Sequence, residues 1–225
     1  MLPLTRLREP HLLPLWSLRE DCVIRQSPAA PCDWRIDTPW GEARLGPIAP
    51  VVRRALERMT YGPVLLDNVL PGFTDGDVPT GQHVDHAALR AVLEKAGHAV
   101  VRTLAFPDGS RYVTVTPEWP RARLFSTGRP EPDAVHRLSR HVTLHDAADG
   151  RLLQAPSCAH RALLHTPRAE RLIDCYAAPA RLREVSALLG RPVPETALVV
   201  GLLEAAGLLV PVSGGAPPPE RGTNA

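Results

Sequence analysis

Residues 83–86 read HVDH, two histidines three positions apart with an aspartate beside the second. Imidazole and carboxylate are the donor types of zinc and of general acid–base chemistry, but no acidic or histidine cluster surrounds the pair. The stretch GDVPTGQH at 76–83 has the glycine spacing of a phosphate loop, yet it carries Gln-His where Lys-Ser/Thr must meet the phosphates and the metal. TLHDAADG at 143–150 is an acidic turn without a second carboxylate cluster, and GxGxxG and GxSxG do not occur. Cys22, Cys32, Cys158 and Cys175 form no CxxC pair and no zinc spacing, so they read as free thiols of a reducing compartment. The nine histidines are scattered. These residues predict no catalytic group, no metal site and no cofactor-binding residue in the chain itself.

What could be positioned is decided by the elements, and an internal echo is the way into them. VLEKAGHAVV at 92–101 and GLLEAAGLLVPV at 201–212 align at an offset of 110, with Leu93, Glu94, Ala96, Gly97 and Val100 on Leu203, Glu204, Ala206, Gly207 and Val210. Each reads as a helix end, a glycine stop in the left-handed region and an apolar strand. In the first half, SLREDCVIR (17–25) and DWRIDTPWGEARLG (33–46) read as strands, the latter with a tight turn at Pro39–Gly41. A helix over 49–62, a short one at LLDNV (65–69) and one over 86–96 capped by Asp85 follow, then a hairpin around PDGS. In the second half VHRLSRHVTLHD (135–146), RLLQAP and AHRALLHT read as three strands. Helices over 167–177, 180–189 and 194–206 come next, with Thr166–Pro167 as cap and first position.

Three strands then three helices, twice, predicts an α+β protein of two tandem winged-helix-like domains. The first spans 1–116, a proline-rich linker 117–134, the second 135–212, and a disordered tail 213–225. With hydrophobic residues at 44% and aromatics at 4%, the cores must be built from Leu, Val and Ala. The start, interrupted by Arg6, Arg8 and Glu9, does not read as a signal peptide, and the apolar run 197–212 is too short to span a bilayer. The reading is a cytoplasmic protein.

Winged helices commonly read DNA with the third helix. Here PETALVVGLLEAAG (194–207) carries Glu195 and Glu204 and no basic residue, so it would repel phosphate, and a net charge of +2 adds little. Its apolar surface must meet protein: its own core, a partner subunit or a peptide. An extended peptide can add to a sheet edge beside such a helix. The candidate edges are 160–165 beside helix 194–206, and 41–45 beside helix 86–96; the alternative is that the edges pair with each other or with a neighbouring chain. Alternation puts Arg161, Leu163 and His165 on one strand face and His160, Ala162 and Leu164 on the other, while Val199, Leu202 and Leu203 adjoin on the helix. The peptide-binding candidates are Arg161, Leu163, His165, Val199, Leu202 and Leu203, some of which must be core and some groove.

SLREDCVIR (17–25) and PWGEARLGPIAPVVRRALERMTYGPVLLDNV (39–69) resemble the N-terminal region of SagB-type peptide dehydrogenases, and 135–212 resembles the peptide-recognition winged helix that follows there. That family oxidises azolines to azoles (thiazole, oxazole) with FMN during ribosomal-peptide natural product biosynthesis, on a flavin domain C-terminal to the region resembled. No Arg-Ser-Arg segment of the kind that meets the FMN phosphate occurs here. The resemblance therefore implies a non-catalytic recognition subunit, with FMN expected on a partner protein, or else a decayed or truncated member of the family. Its partners would be a precursor (leader) peptide and a separately encoded flavin dehydrogenase or cyclodehydratase, in a hetero-oligomer or a homodimer, without nucleic acid or membrane. A DNA-binding regulator and a structural subunit completing an oligomer are the rival readings.

Overall fold

The computed structural model describes residues 12–28, 30, 32–73 and 84–212. It is a mixed α and β structure with antiparallel sheets. The chain opens with β1 (Leu13–Leu18), then a meander of β2 (Val23–Gln26), β3 (Asp33–Thr38) and β4 (Gly41–Pro47). Helix α1 (Pro50–Thr60), a 3₁₀ turn at Leu66–Asn68, helix α2 (Val84–Lys95) and the hairpin β5 (Val100–Ala105) and β6 (Arg111–Pro117) complete the first half. The second half repeats the plan: β7 (Val135–Leu138), the meander β8 (Thr143–Ala147), β9 (Gly150–Gln154) and β10 (His160–Leu164), helix α3 (Pro167–Cys175), the short strand β11 (Ala180–Arg181), helices α4 (Leu182–Leu188) and α5 (Val193–Ala205), and β12 (Leu209–Pro211).

The repeat is closer than the echo in the sequence suggests. In each half a leading strand pairs antiparallel with the strand that follows the last helix: β1 with β5, β7 with β12. On its other side each leading strand meets the segment before the middle helix, Trp16 bridging Val64 and β7 pairing β11. Sequence reasoning merges this leading strand with the first meander strand at the same place in both halves. SLREDCVIR is broken by a turn between Leu18 and Val23, closed by Cys22 N–H donating to Arg19 O at 3.1 Å. VHRLSRHVTLHD is broken between Leu138 and Thr143, where His141 takes φ 66°. A polar turn inside an alternating run leaves the period intact, so the run reads as one strand.

Local chemistry explains most element ends. Pro50 and Pro167 sit in the first helical turn, and Thr166 Oγ1 accepts from Ala169 N–H at 3.2 Å. Asp85 is not a cap: α2 begins at Val84 and Asp85 lies in its first turn, where a carboxylate favours the helix dipole. The expected insertion at 71–83 lies mostly, and the tail wholly, outside the described residues. Gly207 has φ 77°, the left-handed residue that turns α5 into β12. Gly97 stands at the matching place for another reason. It lies in a 3₁₀ turn, and a Cβ there would overlap the Leu124 backbone.

Residues 118–134 form no strand or helix but pack along both halves. Ala122 is buried, Leu124 packs on the first-half core, and Phe125 packs on the second. The Gly128 carbonyl rests on α5 where Gly201 has no side chain. The two cores are joined by Arg102, buried on β5, whose guanidinium stacks 3.5 Å from the Trp16 ring centroid and donates from Nη1 to Phe125 O at 3.2 Å. Gly97→Ala and Gly201→Ala are each expected to lower stability by roughly 1–3 kcal/mol, because the new methyl meets backbone that cannot rotate away. Gly128→Ala, with open space at its Cβ, is expected to change stability by less than about 0.5 kcal/mol; urea unfolding of the three variants checks the contrast.

Candidate functional site

Strand order places the open edges. The six-stranded sheet runs β1-β5-β6-β10-β9-β8, and the first-half meander forms its own sheet, β2-β3-β4. β10 is therefore an interior strand. It pairs with β9 on one side and with β6 on the other, Ala162 opposite Val115 and Leu164 opposite Val113. The edge expected at 160–165 is already filled by the chain's own β6.

The six residues expected to bind peptide are not brought together. Val199, Leu202 and Leu203 are buried in the second-half core, on the sheet face that carries Val115, Ala162, Leu164 and Leu153. Arg161, Leu163 and His165 belong to the opposite face, as the alternation of β10 requires. There Arg161 Nη1 lies 3.2 Å from Glu118 Oε1, and His165 Nε2 lies 2.8 Å from Thr114 Oγ1. The sheet itself separates the two sets. The core-or-groove question for the helix is answered as core: nearly every side of α5 is buried, including Glu195, which pairs with Arg191 at 3.1 Å.

The matching strand in the first half is in a different state. β4 corresponds to β10 as the third meander strand, and among the described residues no strand pairs with its far side. Its side chains alternate cleanly, Ala43 and Leu45 buried, Glu42 and Arg44 exposed. Ladder pairs counted from the Thr38–Gly41 closure of the hairpin leave the backbone groups of Glu42 and Arg44 turned away from β3. A bulge between Trp34 and Arg35 shifts the register at the end of the strand. Helix α2 packs beside β4, and Lys95 Nζ approaches Leu45 O at 3.4 Å. Ala91 and Ala88, one and two turns before Lys95, give that helix flank a low wall.

The solvent face of this small sheet is a chain of alternating charges. Arg25 Nε lies 3.2 Å from Asp37 Oδ2, Arg35 reaches both Asp37 Oδ1 (3.1 Å) and Glu42 Oε2 (3.2 Å), and Arg44 Nε meets Glu42 Oε1 at 2.5 Å. The Arg44 guanidinium beside the Glu42 carboxyl holds its pKa below the ordinary value. Such a face discourages stacking of sheets from above, while among the described residues no strand covers the edge.

The chemistry-bearing residues of the sequence take structural places. His86 is buried against Phe73, its ring 5.9 Å from that ring, with Nε2 3.2 Å from Pro71 O, while His83 and the 76–83 loop lie outside the described residues. The four cysteines are unpaired thiols; burial pushes Cys22 up to about 11. No group of three or more His, Cys, Asp or Glu is placed to hold a metal among the described residues, and no described helix is long and apolar enough to cross a membrane.

No protein-family model matches this chain, and no curated protein is significantly similar to it in sequence.

Two outcomes follow from these placements. Val199→Glu puts an unpaired carboxylate into a fully buried site, and is expected to cost more than about 4 kcal/mol and to abolish the cooperative thermal transition. His160, buried at the end of β10 with its ring 5.0 Å from Phe125, is lowered by burial to about 4. The unfolded chain titrates at about 6.5 and so binds the extra proton first as pH falls. The stability from neutral His160 is complete above about pH 6.5 and is lost as pH drops toward 4, at up to about 1.4 kcal/mol per pH unit. Burial also lowers His98 and His165, which add to the same trend. In urea unfolding at pH 7.5 and 4.5, His160→Gln is expected to reduce the difference between the two pH values.

Proposed function

We propose that this chain is a peptide-capturing subunit of a ribosomal-peptide-modifying complex, and that it takes an extended leader segment as an added strand on β4 beside α2. One observation carries the reading. The second-half meander already has an antiparallel strand, β6, on the edge that matches β4, and α5 packs on β6. In the first half no strand pairs with the matching edge among the described residues, and α2 packs beside β4 itself. The chain thus contains, covalently filled, the arrangement that a peptide would complete on β4. Main-chain hydrogen bonds would supply affinity, and side chains facing α2 and the Lys95 end of the groove would supply selectivity.

The order helix, short strand, two helices, strand in α3–β12, with β7 between β11 and β12, supports the winged-helix description of the half. The resemblance of 17–25 and 39–69 to SagB-type dehydrogenases supports azole formation as the setting, with FMN and its chemistry on a separate protein. The DNA-binding reading loses its main support, since the helix that would enter a groove is buried among the chain's own residues.

The test uses the leader segment of a precursor peptide encoded beside this chain, fluorescein-labelled, in an anisotropy titration. Saturable binding is expected, and N-methylation of alternate leader residues is expected to weaken it at least ~tenfold in one parity and little in the other, as strand addition demands. Ala91→Glu, an exposed helix position, is expected to weaken binding with an unchanged unfolding temperature. Absence of binding by such leaders, or equal tolerance of both N-methyl parities, overturns the reading.

A further inference from the structure

The second half carries a cavity that neither the peptide edge nor the packing of the cores accounts for. It has a volume of about 330 Å³ and lies between α3 and the turn from α4 to α5, lined by Arg168, Arg171, Leu188, Leu189, Gly190 and Arg191. Three arginines therefore line one concavity. Arg168 and Arg171 are exposed and three residues apart on α3, so they lie on one flank of that helix. Neither has an acidic partner within ion-pair distance among the described residues.

Arg191 differs from them. Its side chain is 9% exposed, its Nη2 is held 3.1 Å from Glu195 Oε1, and its guanidinium lies 4.5 Å from the centre of the Tyr112 ring. Its Nη1 is buried against protein. Glu195 offsets one of the three positive charges and leaves two in excess, those of Arg168 and Arg171. Tyr112 lies beneath Arg191 and is 0% exposed.

We propose that this cavity binds a phosphoryl group carried on a small organic molecule. Planar guanidinium forks match phosphate oxygens in pairs, and two excess positive charges match a phosphate monoester near neutral pH. A bare phosphate would occupy a small part of the volume. Leu189 and the 76% exposed Leu188 also line it, and an organic group can rest against them. The left-handed Gly190, φ 61°, turns the chain so that Arg191 enters the cavity from the end of α4. Nothing in this site touches β4 or α2, so it stands or falls apart from peptide capture.

The experiment is a calorimetric titration of the full chain, in a chloride buffer free of phosphate, with phenyl phosphate and with inorganic phosphate. Saturable binding is expected, tighter for phenyl phosphate. Arg168→Gln combined with Arg171→Gln, both at exposed positions, is expected to weaken it at least ~tenfold with an unchanged unfolding temperature; if that pair is unstable, Arg171→Gln alone serves the comparison. Equal affinity for the two probes keeps the phosphoryl site and overturns the organic ligand. No saturable binding of either probe, or the same affinity in the variant, overturns the site.

Discussion

The pairing of β6 with β10 is the constraint on which the rest of the structure depends. It runs from Val113–Leu164 to Pro117–His160 and turns two short sheets into one of six strands. Through it Leu104, Tyr112, Val113 and Val115, which follow the first-half helices in the chain, pack with Leu153, Ala162, Leu164 and the α5 side chains. The hairpin that closes the first half is thus a wall of the second core. The pairing is distant in sequence, so its loop-closure entropy must be offset by this burial. The segment 118–134 begins where β6 ends and is drawn across the joint with Ala122 buried in it.

The same pairing gives the two halves different fates. A meander of three strands has two outer edges, and an edge left open is a place for another strand. β6 closes one of the two matching edges within the molecule, and among the described residues no strand closes the other, on β4. The charged face of β2-β3-β4 and the small residues of α2 leave the edge reachable while discouraging flat stacking of sheets.

The buried polar groups fall along the joint. Arg102 meets aromatic faces and a carbonyl at the junction of the cores, and His136 shares a 3.1 Å contact with Glu204 beneath β12. Arg191 pairs with Glu195 and stacks on Tyr112. Arg102 lies where two packed layers meet, whereas Arg191 lies at the lining of the cavity beside the arginines of α3.

Much of this was determined by the sequence alone. Helical spacing and caps placed α1, α3, α4 and α5 within a few residues of their observed ends, and the acidic, apolar character of 194–206 required that it meet protein. The echo at an offset of 110 marked a repeated joint, and Gly207 took the left-handed conformation that its position implied. The meander and hairpin strands were equally legible, because alternation is local. Strand partners were not: nothing in HRALLH distinguishes an edge from an interior strand, since both bury one face and expose the other. Only the tertiary pairing with β6 decided that 160–165 is interior and that Arg161 and Val199 lie on opposite sides of a sheet, and the strand order leaves 41–47 at an edge among the described residues. The leading strands β1 and β7 were hidden for a related reason, since the turns that detach them preserve the alternating pattern. Gly97 shows the limit most plainly. Its place in the sequence repeat matched Gly207, but it is glycine because Leu124, 27 residues on, passes over it, and close approach of distant backbone leaves no local signature.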